Sequence, residues 1–290
     1  GKGLMGTPLV STVLAAELIR RAGGIAEEDV LEDISGGCAA TVAYLDGSDW
    51  GATNTGVSVD ANGVLSGSKF MVPDAAQATW IAVVGSDAAG DAVVALVAGR
   101  DVAAQAQASH ALIDLTKRAS TLDFTGVKAQ RVLSGDKVAS AIRDYLLIGA
   151  LLTAAEAVGS TSACLAGIVD YLKTRKQFGK LIGSFQALKH PTVDIYVGME
   201  HSRSLVYHAS SEIDDGPLSA EAEVACRMAK AKASDTIQYA GDRSVQFHGG
   251  FGFTWECDSS LFIRRAAWSQ QQFGDAMHHR KRLAPLLLDA

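Results

Sequence analysis

Between Leu9 and Ala22 apolar residues return with helical spacing, and the pair Gly23-Gly24 ends the pattern, so the chain is expected to open with a single helix. From about Ile34 to Leu133 the period shortens. Apolar runs at Thr41 to Leu45, Gly56 to Val59, Lys69 to Val72, Thr79 to Val84, Ala92 to Ala98 and Ser120 to Phe124 are separated by turn clusters that include Asp46-Gly47 and Asn62-Gly63. This predicts a β domain of roughly a hundred residues. After Asp136 the turn signals thin out. Alanine-rich helical patterns follow at about 139–174, 184–213, 219–243 and 259–288, the longest spanning some 50 Å at about 1.5 Å per residue. Four antiparallel helices are their natural packing.

Punctuation within the helical part agrees with these limits. Ser219 is the expected N-cap of the third long helix, with Glu221 and Glu223 in its first turn, and Gly274 is the expected stop before Asp275 caps a last helix. Pro191 lies well inside the second pattern, where its missing N–H predicts a kink. With neither βαβ alternation nor an internal repeat, the predicted class is α+β. Its parts are a residual N-terminal helical segment (1–33), a β-barrel or sandwich domain (34–135) and a C-terminal four-helix bundle (136–290).

Composition narrows the function classes. The 290 residues are 48% hydrophobic and 20% charged, enough for a large core. The 32 acidic against 26 basic side chains leave a net charge of -6, and the only basic run is His278 to Arg282. Nucleic acid is not an expected partner. The longest apolar region, Tyr145 to Leu172, is broken by Thr153, Glu156, Ser160, Thr161, Ser162 and Asp170, whereas a membrane span needs about 20 nearly unbroken apolar residues. No membrane partner and no secretory signal in Gly1 to Pro8 are expected, and the cytoplasm is the default location. Cys38, Cys164, Cys226 and Cys257 form no CxxC pair and the seven histidines no ligand spacing, so free thiols and no metal site are expected.

Two clusters carry the candidate chemistry. Arg175-Lys176-Gln177-Phe178-Gly179 closes the first long helix, and Gly183-Ser184-Phe185-Gln186-Ala187-Leu188-Lys189-His190 opens the next. Alone, an arginine at a helix C-terminus reads equally as a dipole cap. The second cluster, Gln246-Phe247-His248-Gly249-Gly250-Phe251-Gly252-Phe253-Thr254, adds three glycines that let backbone N–H groups approach a diphosphate. It is not the GxGxxG dinucleotide fingerprint, since no strand precedes it.

These motifs, followed by Arg264-Arg265 and a terminal Phe273-Gly274-Asp275, resemble the acyl-CoA dehydrogenase family from Leu9 to the C-terminus. The resemblance implies a flavoprotein, with Arg175, Gln177, Phe178, Gln186, Gln246, Gly249 and Gly250 binding the adenosine diphosphate half of an FAD held mainly by a neighbouring subunit. It implies α,β-dehydrogenation of an acyl-CoA thioester, in which a glutamate takes the α-proton as the β-hydride leaves for the flavin. Electron-transfer flavoprotein is the family's usual electron acceptor.

The glutamate is not where the resemblance places it. In many members it precedes the glycine of the last loop, where this chain has Phe273; in others it lies near the start of the first long helix, at Gly149. Nearby substitutes are Asp275, which reads better as an N-cap, and Glu156, two turns along the same face from Gly149, which reads better as a helix-face contact. The family's TEPxxGSD segment and its WIT or WIS triplet, which hold the flavin ring, correspond to Tyr44-Leu45-Asp46-Gly47-Ser48-Asp49 and Phe70-Met71-Val72, without the Thr/Ser partners. Relative to the family, the N-terminal helical part is truncated to about one helix. The stretch around Leu112 to Arg118 and the terminal FGDAMHHRKRLA resemble the heteromeric, α2β2 acyl-CoA dehydrogenases of actinobacteria that act on CoA thioesters of steroid side chains. No catalytic residue is therefore assigned, and the expected partner is a homologous subunit carrying the glutamate. A self-sufficient homotetramer with a relocated base and a flavin-free scaffold are the alternatives.

Overall fold

The computed structural model describes residues 1–23, 28–102 and 107–288, so Gly24, expected to end the first helix, lies outside the described residues. Helix α1 (Leu9–Gly23) buries Leu14, Leu18 and Ile19 on one face. A second helix, α2 (Glu28–Ser35), follows where the sequence predicted none. Its four acidic residues among eight conceal a pattern in which Val30 is deeply buried.

The chain divides into two compact units, one of Gly6–Gly149 with Asp214–Pro217 and one of Gly1–Met5, Ala150–Ile213 and Leu218–Ala290. The first unit holds two of the sheets. Strands β1 (Ala40–Ala43), β2 (Ser58–Val59), β3 (Leu65–Ser66), β5 (Trp80–Ser86), β6 (Ala92–Ala98) and β9 (Arg131–Leu133) form one, ordered β3-β2-β5-β6-β9 with β1 also on β5. Strands β4 (Ser68–Pro73), β7 (Gln107–Ser109) and β8 (Ala119–Asp123) form the other, ordered β4-β8-β7. Val57, Leu65, Ile81, Val83, Val93 and Val97 from one sheet side meet Val72, Leu122 and Phe124 from the other in a single core, a sandwich, one of the two architectures, barrel or sandwich, expected for this β domain.

Asn62-Gly63 does make the expected hairpin turn: Gly63 has φ +76 and Asp60 N–H donates to Val64 O between β2 and β3. Asp46-Gly47 does not. Its strand β1 pairs in parallel with β5, and the following loop is stapled from within by Lys69. The fully buried Lys69 donates to Tyr44 O (2.8 Å), Asn54 O (2.6 Å) and the Asp46 carboxylate (2.6 Å). An Asp-Gly pair signals a hairpin only when no distant cation competes for its carboxylate.

The second unit is built from long helices: α3 (Asp136–Thr174), whose first turns belong to the other unit, α4 (Gln186–Ser211), α5 (Ala220–His248), α6 (Ser259–Gln271) and α7 (Ala276–Leu288). Helix α4 includes Pro191 in its second turn, where the ring removes one backbone donor. Ser219 caps α5 by accepting from Ala222 N–H at 3.1 Å. Helix α3 is long and apolar enough to cross a membrane, yet most of its apolar window is buried within the protein, as in a core helix. Cys164, Cys226 and Cys257 are buried free thiols and Cys38 is half-buried.

Candidate functional site

Helix α3 ends at Thr174, and the chain reverses through a ribbon of β10 (Lys176–Gln177) against β11 (Lys180–Leu181). Phe178 and Gly179 form its two-residue tip with φ +52 and +78, the signature of a type I′ turn, in which a phenylalanine is strained. Phe178 is 90% exposed. Arg175 is fixed at both backbone ends, its N–H donating to Tyr171 O and its carbonyl accepting from Ile182 N–H, each at 2.9 Å.

The end of α5 meets this ribbon. The Tyr171 and His248 rings lie 4.3 Å apart, and Tyr171 Oη donates to His248 O at 3.4 Å. Gly249 then takes φ +61, ψ -142, a backbone state that favours glycine. Gly252 is required for another reason: a Cβ there would stand 2.4 Å from Val245 O.

Together these elements enclose an open cavity of about 740 Å³ whose lining includes Tyr171, Arg175, Gln177, Phe178, Gly249 and Gly250, with aromatic and aliphatic walls and no acidic side chain. Five of the seven sequence-predicted residues are thus brought together. Gln186 and Gln246 are exposed and lie outside the lining, the first at the start of α4 beside lining Ala187, the second in the last turn of α5. The sequence did not single out Tyr171 and His248. Tyr171 sits four residues before Arg175 on the same helix face, and that spacing was the available signal.

The cavity suits an extended anion with an aromatic part. Among the described residues Arg175 makes no ion pair, so its fork is available to a phosphate. The start of α4 has no side-chain cap, which leaves its first N–H groups and positive dipole end for an anion. A Cβ on Gly250 would meet nothing within 4 Å; glycine there serves no contact of this chain and leaves room for a ligand to reach the backbone. A dinucleotide such as FAD fits this donor set, and the volume is within the range of about 300–1,000 Å³ usual for small-molecule sites.

The candidate bases are engaged elsewhere. Asp275 accepts from His278 N–H at 2.7 Å and caps α7. Glu156 Oε1 lies 2.5 Å from Nη1 of Arg265, a fully buried arginine. Phe273 and Gly149 occupy the α6–α7 turn and the buried interior of α3. Asp275→Ala is expected to lower stability by about 1 kcal/mol, the usual value of an N-cap, in chemical denaturation. A loss of activity far beyond that change would reinstate Asp275 as a base.

In the β unit, Tyr44 is buried, stacked on Trp50 with ring centroids 5.8 Å apart and tilted against Tyr145 at 5.9 Å. Phe70 packs edge-on to His110 at 5.1 Å, and Met71 takes φ +52 at a bulge in β4. Among the described residues no cluster of His, Cys, Asp or Glu has the arrangement of a metal site.

Comparison with known proteins adds to this geometry. Residues 139–285 match the family model of the acyl-CoA dehydrogenase C-terminal domain. The acyl-CoA dehydrogenase IpdE2 of Mycolicibacterium smegmatis is 38% identical over 134 residues, which cover 46% of this chain and 40% of that protein. Two solved structures align at TM-score 0.82 and 25% identity over 98% of this chain: the ChsE4-ChsE5 complex from Mycobacterium tuberculosis, of which 77% is covered, and a variant of the Tcur3481-Tcur3483 steroid ACAD, of which 76% is covered. The chain spans between 36% and 40% of the length of the first curated relatives it matches.

Proposed function

Because the chain belongs to the acyl-CoA dehydrogenase family, we propose that it is the subunit of a heteromeric dehydrogenase that completes the FAD site of a catalytic partner and lends no base of its own. The supporting observation is the single cavity that gathers Arg175, Gln177, Phe178, Gly249 and Gly250. In it Arg175 and the start of α4 bind a diphosphate, the Gly249-Gly250 backbone allows close approach, and Tyr171, His248 and Phe251 supply flat faces for a nucleoside. Bound FAD supplies the hydride acceptor. Proton abstraction needs a carboxylate at the substrate α-carbon, and at the two positions where the family resemblance places one this chain has Phe273 and Gly149. The glutamate then comes from the partner. Exposed Val193, Tyr196, Val197 and Tyr207 recur along α4 at helical spacing, which suits contact with another subunit.

The similarity to a steroid dehydrogenase and to a two-component complex supports a CoA thioester of a steroid side chain as substrate and an α2β2 assembly as the working form. Electron-transfer flavoprotein is the proposed acceptor and the cytoplasm the proposed location. The test is to purify the chain alone and together with a homologous, glutamate-bearing subunit, and to measure bound FAD and acyl-CoA dehydrogenation. Flavin and activity are expected only in the joint preparation. Activity of the chain alone would reject the division of labour, and absence of flavin from both would reject the cofactor role.

A further inference from the structure

Lys230, in the middle of α5, is fully buried. Its Nζ donates to Ser234 Oγ at 2.8 Å, Gly274 O at 2.9 Å and Ser269 O at 3.1 Å. An ammonium has three protons, and here each has an acceptor. Two of the three belong to the end of α6 and the turn that joins it to α7. His279 on α7, also buried, holds the neighbouring carbonyl, with Nε2 2.9 Å from Phe273 O. A carbonyl only accepts, so Nε2 carries the hydrogen. Nδ1, buried without a partner, is then the bare nitrogen of a neutral ring. Burial, then the charges of Lys230, His278 and Arg227, push the His279 pKa down to about 3, in keeping with that neutral form. Burial also pushes the Lys230 pKa down, to about 7, against the pull of Asp275.

The backbone between these holds is not one that the sequence would choose freely. Phe273 has φ +57, a left-handed state that its Cβ disfavours, and Gly274 has φ +90. A Cβ on Gly274 would lie 2.5 Å from the His278 ring. Asp275 completes the set by accepting from His278 N–H. Three consecutive residues are therefore tied down by side chains or backbone of α5 and α7. Strained backbone persists only where its surroundings over-determine it, and such places are concentrated at functional sites.

We propose that Lys230 and His279 are positioning residues, a buried clamp that fixes the α6–α7 turn and thereby sets Phe273 as a wall of the acyl site. The clamp stands on the geometry alone; its consequence for the acyl group rests on the function proposed above. Without the Lys230 donor, Gly274 O and Ser269 O lose a buried partner, and the turn relaxes toward a right-handed backbone at Phe273.

The test uses the chain assembled with its partner. In Lys230→Met, amide hydrogen exchange in peptides covering 272–279 is expected to rise about tenfold or more while β-unit peptides keep their rates. His279→Leu, which removes the other donor, should reproduce this if Lys230→Met does not fold, and His279→Gln, which keeps one, should restore most of the protection. KM for acyl-CoA should rise about tenfold in both donor-free variants, with kcat and flavin content changed far less. Unchanged exchange at 272–279 would overturn the clamp. Raised exchange with unaltered KM would overturn its positioning role. A wild-type assembly inert toward every acyl-CoA would instead defeat the proposed function, and the exchange data would still decide the clamp.

Discussion

Arg175→Ala should strip FAD from the assembled protein while leaving the fold intact. The side chain is exposed in the chain and makes no ion pair among the described residues, so its removal leaves no internal charge unpaired. Under the proposed function its interaction forms when a diphosphate and a neighbouring subunit cover it. Truncating one member of such a desolvated charge pair costs about 2–5 kcal/mol, or roughly 30- to 4,000-fold in affinity. Flavin absorption of the purified complex and its recovery on titration with FAD measure the loss. Arg175→Lys separates charge from shape: a point charge keeps part of the attraction without the two parallel donors, so its affinity should fall between the two. Thermal unfolding of the chain alone should be the same in all three proteins. Full flavin content in Arg175→Ala would place the diphosphate elsewhere.

The helical half was readable because its determinants are local. Ser219, Gly274 and Asp275 act within one turn of where they stand, and the α5 cap and the break between α6 and α7 fall where those residues predicted. The β half was readable as a class and less so in its connections. Asp46-Gly47 looked like a hairpin because nothing in its neighbourhood reveals that Lys69, 23 residues on, captures the carboxylate. Helix α2 was missed because Val30, Leu31 and Ile34 among four acids in only eight residues are too short a stretch to establish a helical period. At the candidate site the motifs gave Arg175, Gln177, Phe178, Gln186, Gln246, Gly249 and Gly250 as one group, and the fold gathers five of these seven around one cavity, leaving Gln186 and Gln246 outside its lining. Tyr171 and His248 needed the fold, because their contact joins α3 to α5 across 77 residues of chain. Lys230 was invisible for a related reason: a lysine among alanines reads as a solvated position until Ser269 O and Gly274 O, from elsewhere in the chain, join Ser234 of its own helix around it.

Glu156→Ala should destabilise the chain by about 3–5 kcal/mol, the usual effect of removing one member of a buried ion pair. Arg265 is fully buried and its Nη1 lies 2.5 Å from Glu156 Oε1, so the two side chains form a pair on the inside of the helical unit. Chemical denaturation measures the loss. The pairing predicts non-additivity as well: Glu156→Leu combined with Arg265→Met should recover much of the stability that either change loses alone, because both members of the buried pair are removed together. The same variants separate structure from chemistry. If Glu156 served as the base, Glu156→Gln would lower turnover by about 10²–10⁴-fold in a protein that still folds, since an amide oxygen continues to accept from Arg265. As the counterion of a buried arginine it should instead leave the turnover of correctly assembled protein within a few-fold of wild type, with the damage confined to stability. Turnover that collapses in Glu156→Gln at unchanged stability would return the proton-abstracting role to this chain and remove the need for a glutamate from the partner.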